Sequence, residues 1–159
     1  MVSIRRAVPA DCPSIHEAHT RAIRELCSID YEPAQIEAWA GARQPTDYLK
    51  PVASGRLYVA VLDGNVVGFS EFHKDSQELK AVYVNPDYTR RGIGKALFEH
   101  LCNEARGDGI NSLWLNASLT AVPFYLAVGC RREKVMTHRL GGDVELACVR
   151  MTIGLNKVL

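Results

Sequence analysis

Along the chain, apolar residues recur with a period near two in some runs and every third or fourth position in others. Val2 to Val8 alternates imperfectly and is short enough for an edge strand. Pro9-Ala10-Asp11 reads as a turn, with Asp11 as N-cap of a helix that carries Pro13 in its first turn, where a missing N–H costs little. Ile15, Ala18, His19, Ala22, Ile23 and Leu26 fall on one face of that helix. A second helix opens near Glu32-Pro33 and carries Ile36, Trp39 and Ala40. Leu57 to Leu62 is apolar and rich in β-formers, Asp63-Gly64-Asn65 is a hairpin signal, and Val66 to Phe72 is the returning strand. Leu79 to Val84 is a third run, ended by Asn85-Pro86-Asp87, so the middle of the chain predicts an antiparallel meander.

Helical spacing returns after Gly92 and Gly94 and runs to about Arg106, with Ile93, Ala96, Leu97, Leu101 and Ala105 as the buried stripe. Ser112 to Asn116 is a short strand reached through that helix, so its pairing with the preceding strand is expected to be parallel. A further helix covers about Ala121 to Val128 and stops at Gly129. Strands near Arg131–His138 and Val144–Ile153 flank a turn at Gly141-Gly142-Asp143. The order β-α-α-β-β-β-α-β-α-β-β predicts an α+β (mixed α/β) sheet. With no repeat or linker, residues 1–159 read as one domain.

Composition narrows the function classes. Basic and acidic residues number 19 and 18, a net charge of +1, so no global basic field points to nucleic acid. No segment approaches the roughly 18 consecutive apolar residues of a membrane span, and the start lacks a signal-peptide layout, so the expectation is a cytoplasmic protein without membrane partners. Cys12, Cys27, Cys102, Cys130 and Cys148 are scattered with no C-x-x-C pair, which reads as reduced and buried. No His/Cys/Asp set has metal spacing, so no metal is expected, and Ser118 has no elbow motif for hydrolase chemistry.

The informative stretch runs from Leu79 to Leu97: an apolar strand, a tight turn, Arg90-Arg91, Gly92-Ile93-Gly94-Lys95 and a helix. First-turn amides of a helix lack internal partners and sit at the positive end of its dipole. Glycines there let an anion approach the backbone closely, and Arg90, Arg91 and Lys95 add charge, an arrangement suited to a diphosphate. A P-loop would need Gly where Thr89 stands and Ser or Thr where Ala96 stands. A dinucleotide fingerprint would need a small residue at Leu97.

In this stretch the chain resembles the GNAT superfamily of acyl-CoA-dependent N-acyltransferases. That family's pattern is Q/R-x-x-G-x-G/A opening the central helix, after a strand ending in V-x-P. Val84-Asn85-Pro86 is followed at that spacing by Gly92-Ile93-Gly94, with Thr89 in place of the first Gln or Arg. A second family pattern, roughly N-x-x-A-x-x-F-Y-x-x-x-G-F, is matched in part by Ala121, Phe124, Tyr125 and Gly129, with Asn116 upstream and Cys130 in place of Phe. The resemblance implies a mostly antiparallel sheet of six to seven strands flanked by about four helices. It implies acetyl-CoA as cosubstrate and an amine as acceptor, while the exposed edge of the terminal hairpin leaves a monomer or a homodimer open.

By the same resemblance, the backbone of Val82, Tyr83 and Val84 is expected to pair with the pantetheine arm. The amides from Arg90 through Arg91, Gly92, Ile93, Gly94 and Lys95 to Ala96 are expected to hold the diphosphate, with Arg90 standing in for the contact Thr89 lacks. Tyr125 takes the place of the general acid and Glu78 that of the base. Asn116 stands either near pantetheine or acceptor, or as a strand-end cap. The acceptor region maps to Ser28–Tyr31 and His138–Val144, where Asp30, Glu32 and Asp143 offer negative charge and His73 and His138 lie near strand ends. A non-catalytic acyl-CoA sensor would keep the same glycine turn and basic mouth without turnover.

Overall fold

A computed structural model describes residues 1–156. The chain forms a sheet of seven strands in the order β1-β2-β3-β4-β5-β7-β6. Strands β1 (Ser3–Arg6), β2 (Leu57–Leu62), β3 (Asn65–His73) and β4 (Glu78–Val84) form an antiparallel run. The β2–β3 hairpin turns at Asp63 and Gly64, with φ of +50° and +80°, the left-handed pair that tight hairpins require. On the other side β5 (Ser112–Ser118), β7 (Glu145–Gly154) and β6 (Arg131–Arg139) are also antiparallel, with β6 at the edge.

Helices α1 (Cys12–Leu26) and α2 (Pro33–Ala40) lie on one face of this sheet. There Ile15 and Ala18 meet Leu57, Val59 and Phe69, while Ile23 and Trp39 cluster with Leu146. Helices α4 (Ile93–Gly107) and α5 (Val122–Ala127) cover the opposite face, with Phe98 and Leu101 against Leu113, Leu115 and Met151. Pro13 sits in the first turn of α1 as expected, and Gly129 ends α5 at φ +105°. No described helix is long and apolar enough to cross a membrane. All five cysteines are buried and free.

Three expectations change. Asp11 is the residue before α1 but makes no capping bond. Its carboxylate accepts from the Val8 amide at 2.8 Å and pairs with Arg5, so it ties the strand-to-helix turn together. Leu26 is 40% exposed rather than core, because α1 ends over a groove. A short helix α3 (Leu49–Ala53), preceded by a 3-10 turn at Pro45–Tyr48, occupies a stretch that carried no periodic signal.

Candidate active site

Strands β4 and β5 are parallel neighbours that meet at their starts and separate towards their ends. Glu78 opposite Trp114 is their one ladder pair among the described residues, supported by Trp114 N–H to Gln77 C=O at 3.2 Å. Beyond Ala81 the β5-facing edge of β4 has no strand partner. Such an edge presents unpaired N–H and C=O groups that an extended ligand can complete. Helix α4 begins at the open end of this gap, and α5 begins beside it.

The turn into α4 is shaped by backbone rather than by side-chain capping. Asn85 accepts from the Asp87 amide at 2.9 Å, and Thr89 Oγ1 donates to Pro86 C=O at 3.2 Å. Arg90 and Gly92 follow in the left-handed region, at φ +63° and +75°. A Cβ at Gly92 would meet no neighbour, so its glycine answers the backbone angle alone. A Cβ at Gly94 would stand 3.2 Å from the Phe124 ring, so that glycine lets α4 approach α5. The Ala96 amide already donates to Gly92 C=O at 3.0 Å, a correction to its expected role. The amides of Ile93, Gly94 and Lys95 precede that first helical bond and are the free donors of this turn.

A cavity of about 430 Å³ lies over the gap. Val82, Tyr83 and Val84 line it from β4, and Thr89, Arg90, Gly92, Ile93, Gly94 and Lys95 line it from the turn. Arg91 and Ala96 do not. The Arg91 guanidinium lies 5.3 Å over the Tyr88 ring instead. Leu26, Cys27, Thr120 and Phe124 complete the wall, and the sequence pattern pointed to none of the first three. Those residues lie at the end of α1 and the β5–α5 junction, which Tyr31 holds together: its hydroxyl donates to Ala147 C=O at 2.6 Å and accepts from the Leu119 amide at 2.9 Å. Asp30 is spent on the same junction, accepting from Thr120 Oγ1 at 2.7 Å.

A second cleft, of about 190 Å³, adjoins the first and shares Tyr83 and Ser118 with it. Glu78, Lys80, Asn116 and His138 line it, as do Glu71, His19 and Arg43, which the sequence did not single out. A β-bulge between Glu71 and Phe72 puts Lys80 out of the ladder, so that Lys80 and Ala81 both reach one cleft. Asn116 does not cap its strand. Its side-chain oxygen accepts from Arg150 Nε at 2.8 Å, and it lines this second cleft rather than the first. His73 faces away from the cleft but bonds Glu71, which lies in it. Asp30, Glu32 and Asp143 line neither cavity.

Tyr125 is buried, with its ring against Phe98 and Phe124, and it does not line the first cavity. Burial holds its phenol above the usual range, so it stays protonated at neutral pH. Its hydroxyl has no hydrogen-bond partner among the described residues, yet it is not one of the fully enclosed unpartnered polar atoms, which are Arg43 Nε, Ser70 Oγ and His100 Nδ1. His19 is buried against Tyr83, with Nδ1 2.8 Å from the Tyr48 hydroxyl. Burial, reinforced by Arg43 and His16, pushes its imidazole well below the ordinary value.

The family model described as "Acetyltransferase (GNAT) family" matches residues 16–130, from within α1 to the end of the α5 turn. The chain belongs to the GNAT acetyltransferase family. Among its relatives, the uncharacterized N-acetyltransferase YafP of Escherichia coli (strain K12) is 29% identical over 133 residues, 84% of this chain and 83% of that protein. The crystal structure of a GCN5-related N-acetyltransferase from Rhodopseudomonas palustris superimposes with a TM-score of 0.86 at 29% identity, covering 96% of this chain and 94% of that one. The PaiA N-acetyltransferase of Thermoplasma acidophilum, solved in complex with coenzyme A, shares the fold with a TM-score of 0.81 at 20% identity, over 97% of this chain and 99% of that one. The splayed parallel pair and the glycine turn thus belong to a GNAT sheet.

Proposed function

We propose that this GNAT protein transfers an acetyl group from acetyl-CoA to a primary amine, both held at once, without a covalent enzyme intermediate. One observation carries the reading: the cavity over the β4–β5 gap ends at the free amides of α4 and shares Tyr83 and Ser118 with a second cleft, whose lining includes Glu71 and Glu78. The cosubstrate fits the groups present. The Gly92–Lys95 turn offers backbone donors with no Cβ in the way, Arg90 and Lys95 add positive charge, and the β4 edge offers a ladder for an amide-bearing arm. The coenzyme A complex of the Thermoplasma relative supports the same choice.

Bound acetyl-CoA would supply an activated thioester carbonyl. The chain's own residues then do the rest. Glu78, or a water it holds, takes a proton from the acceptor ammonium, because only the neutral amine has a lone pair to attack with. Backbone amides near Val82 stabilise negative charge on the carbonyl oxygen as the new C–N bond forms. As the C–S bond breaks, Tyr125 offers its hydroxyl proton to the departing sulfur, the second proton that nitrogen sheds on becoming an amide restores the phenol, and the proton on Glu78 passes to solvent. An ordinary thiol pKa is about 8.5, below that of this phenol, so Tyr125 acts first as a hydrogen-bond donor and full transfer follows as the thiol leaves the site. Positioning two reactants in adjoining cavities contributes much of the rate.

Thermal unfolding with coenzyme A, followed by coenzyme A release across an amine panel, tests this function. Ligand at 100 times its dissociation constant should add about 2.7 kcal/mol of stability. A clear shift with turnover is the expected result. A shift without turnover would favour a sensor, and no shift would remove the cofactor reading.

A further inference from the structure

The second cleft holds one guanidinium that no carboxylate of the described residues engages. Glu71 is hydrogen-bonded by His73, and Glu78 has Lys80 Nζ 3.8 Å away. Each acid in the cleft therefore has a basic neighbour within the chain. Arg43 has no such partner: no carboxylate of the described residues lies within 4.0 Å of it. Its Nε is fully enclosed and donates to nothing among the described residues. An enclosed guanidinium N–H without an acceptor is costly, and it is rare unless a ligand or water completes it. The loop that carries it is anchored, since the His16 ring bonds the Arg43 carbonyl at 3.0 Å.

Beside Asn116, on the same face of the sheet but outside the cleft lining, lies more positive charge. Asn116, Arg150 and Lys134 are cross-strand neighbours on β5, β7 and β6, and paired residues share a face of the sheet. Arg150 lies 4.2 Å over the Trp114 ring and donates to Asn116, and neither it nor Lys134 has a carboxylate of the described residues within 4.0 Å. Of the two cations that line the cleft, Lys80 has Glu78 beside it and Arg43 has no carboxylate within 4.0 Å among the described residues. The cleft's volume, about 190 Å³, suits a small molecule, since drug-sized ligands take roughly 300 Å³ or more.

We propose that the acceptor is a small amine that also carries an anionic group, a carboxylate or a phosphate, and that Arg43 is the residue that selects it. This rests on the acetyl-transfer reading above. The ammonium end lies towards Glu78 and the shared wall at Tyr83 and Ser118, where the two cavities meet. The anionic end completes the Arg43 fork, whose planar donors match either oxyanion in a bidentate way.

The test is coenzyme A release with matched acceptor pairs: phenylalanine and phenylalaninamide, glycine and glycinamide, O-phosphoethanolamine and ethanolamine. Within at least one pair, kcat/KM should favour the anionic member by about tenfold to a hundredfold. The carboxylate and phosphate pairs tell the two anions apart. In Arg43→Gln that preference should collapse through KM, with kcat and the acetyl-CoA Kd nearly unchanged, and Arg43→Lys should restore part of it. Equal rates within every pair, faster reaction of the uncharged members, or an equal loss for both members in Arg43→Gln would overturn the anionic acceptor while leaving acetyl transfer standing. Turnover of no member of any pair would count against acetyl transfer itself, and this inference would go with it.

Discussion

The two adjoining cavities are built in opposite ways. The first draws most of its lining from one continuous stretch: Val82 to Lys95 supplies its strand edge, its turn and its helix amides. The second is mostly side chains from elements far apart in sequence: α1, the loop after α2, β3, β4, β5, β6 and β7 each contribute. Backbone donors in a glycine turn recognise a fixed group, such as a phosphate, whatever the neighbouring side chains are. A cleft of scattered side chains can change its preferred ligand one substitution at a time. That contrast suits an enzyme with a constant cosubstrate and an acceptor of its own.

Breaking the first cavity should have the largest effect. Gly94→Val puts a branched side chain where even a Cβ lies 3.2 Å from Phe124, so coenzyme A affinity should fall by about a hundredfold or more as α4 is pushed from α5. Calorimetric titration reads this, and an unchanged Kd would detach the cofactor from that turn. Tyr125→Phe should lower kcat by about a hundredfold with the same acetyl-CoA Kd. Full turnover in that variant would remove the phenol from the chemistry.

Changes in the second cavity should be smaller. Glu78→Gln should reduce kcat/KM by about tenfold and move the acidic limb of the pH–rate profile, and an unmoved limb would acquit Glu78. His19 gives a stability signature instead. Its buried ring resists protonation, while the unfolded chain takes a proton near the ordinary pKa of about 6.5. The unfolded state then binds more protons below that pH, so stability is complete above it and declines as the pH falls. The slope attributable to His19 is at most about 1.4 kcal/mol per pH unit. Denaturant titrations of wild type and His19→Gln between neutral and mildly acid pH should differ in that slope, and parallel curves would contradict it. The smallest effect belongs to Arg91→Ala. With its guanidinium over Tyr88 and outside the cavity, coenzyme A affinity should change by less than about threefold.

The same contrast explains what could be read in advance. Strand and helix periods survive in sequence because one face of each element is buried, so the meander, the parallel return at β5 and the α4 stripe were all legible. The glycine turn was legible because its function needs particular backbone angles at neighbouring positions, Arg90 and Gly92 among them. The second cleft was not. Lys80 enters it through a bulge that no alternation of residues announces, and Arg43 comes from a loop with no periodic signal. Of the acids near the expected acceptor loops, Asp30 is committed to Thr120, while Glu32 and Asp143 line neither cavity. Asn116 was placed on the correct strand with pantetheine and acceptor both open, and which cavity it lines is set by a partner, Arg150, 34 residues away.

A crystal structure with coenzyme A bound tests the central claim most directly. The account predicts diphosphate oxygens within hydrogen-bond reach of the Ile93, Gly94 and Lys95 amides, the pantetheine arm along Val82 to Val84, and the sulfur near the Tyr125 hydroxyl. Density for the cofactor on another face of the sheet, or a sulfur turned away from Tyr83 and Tyr125, would contradict it.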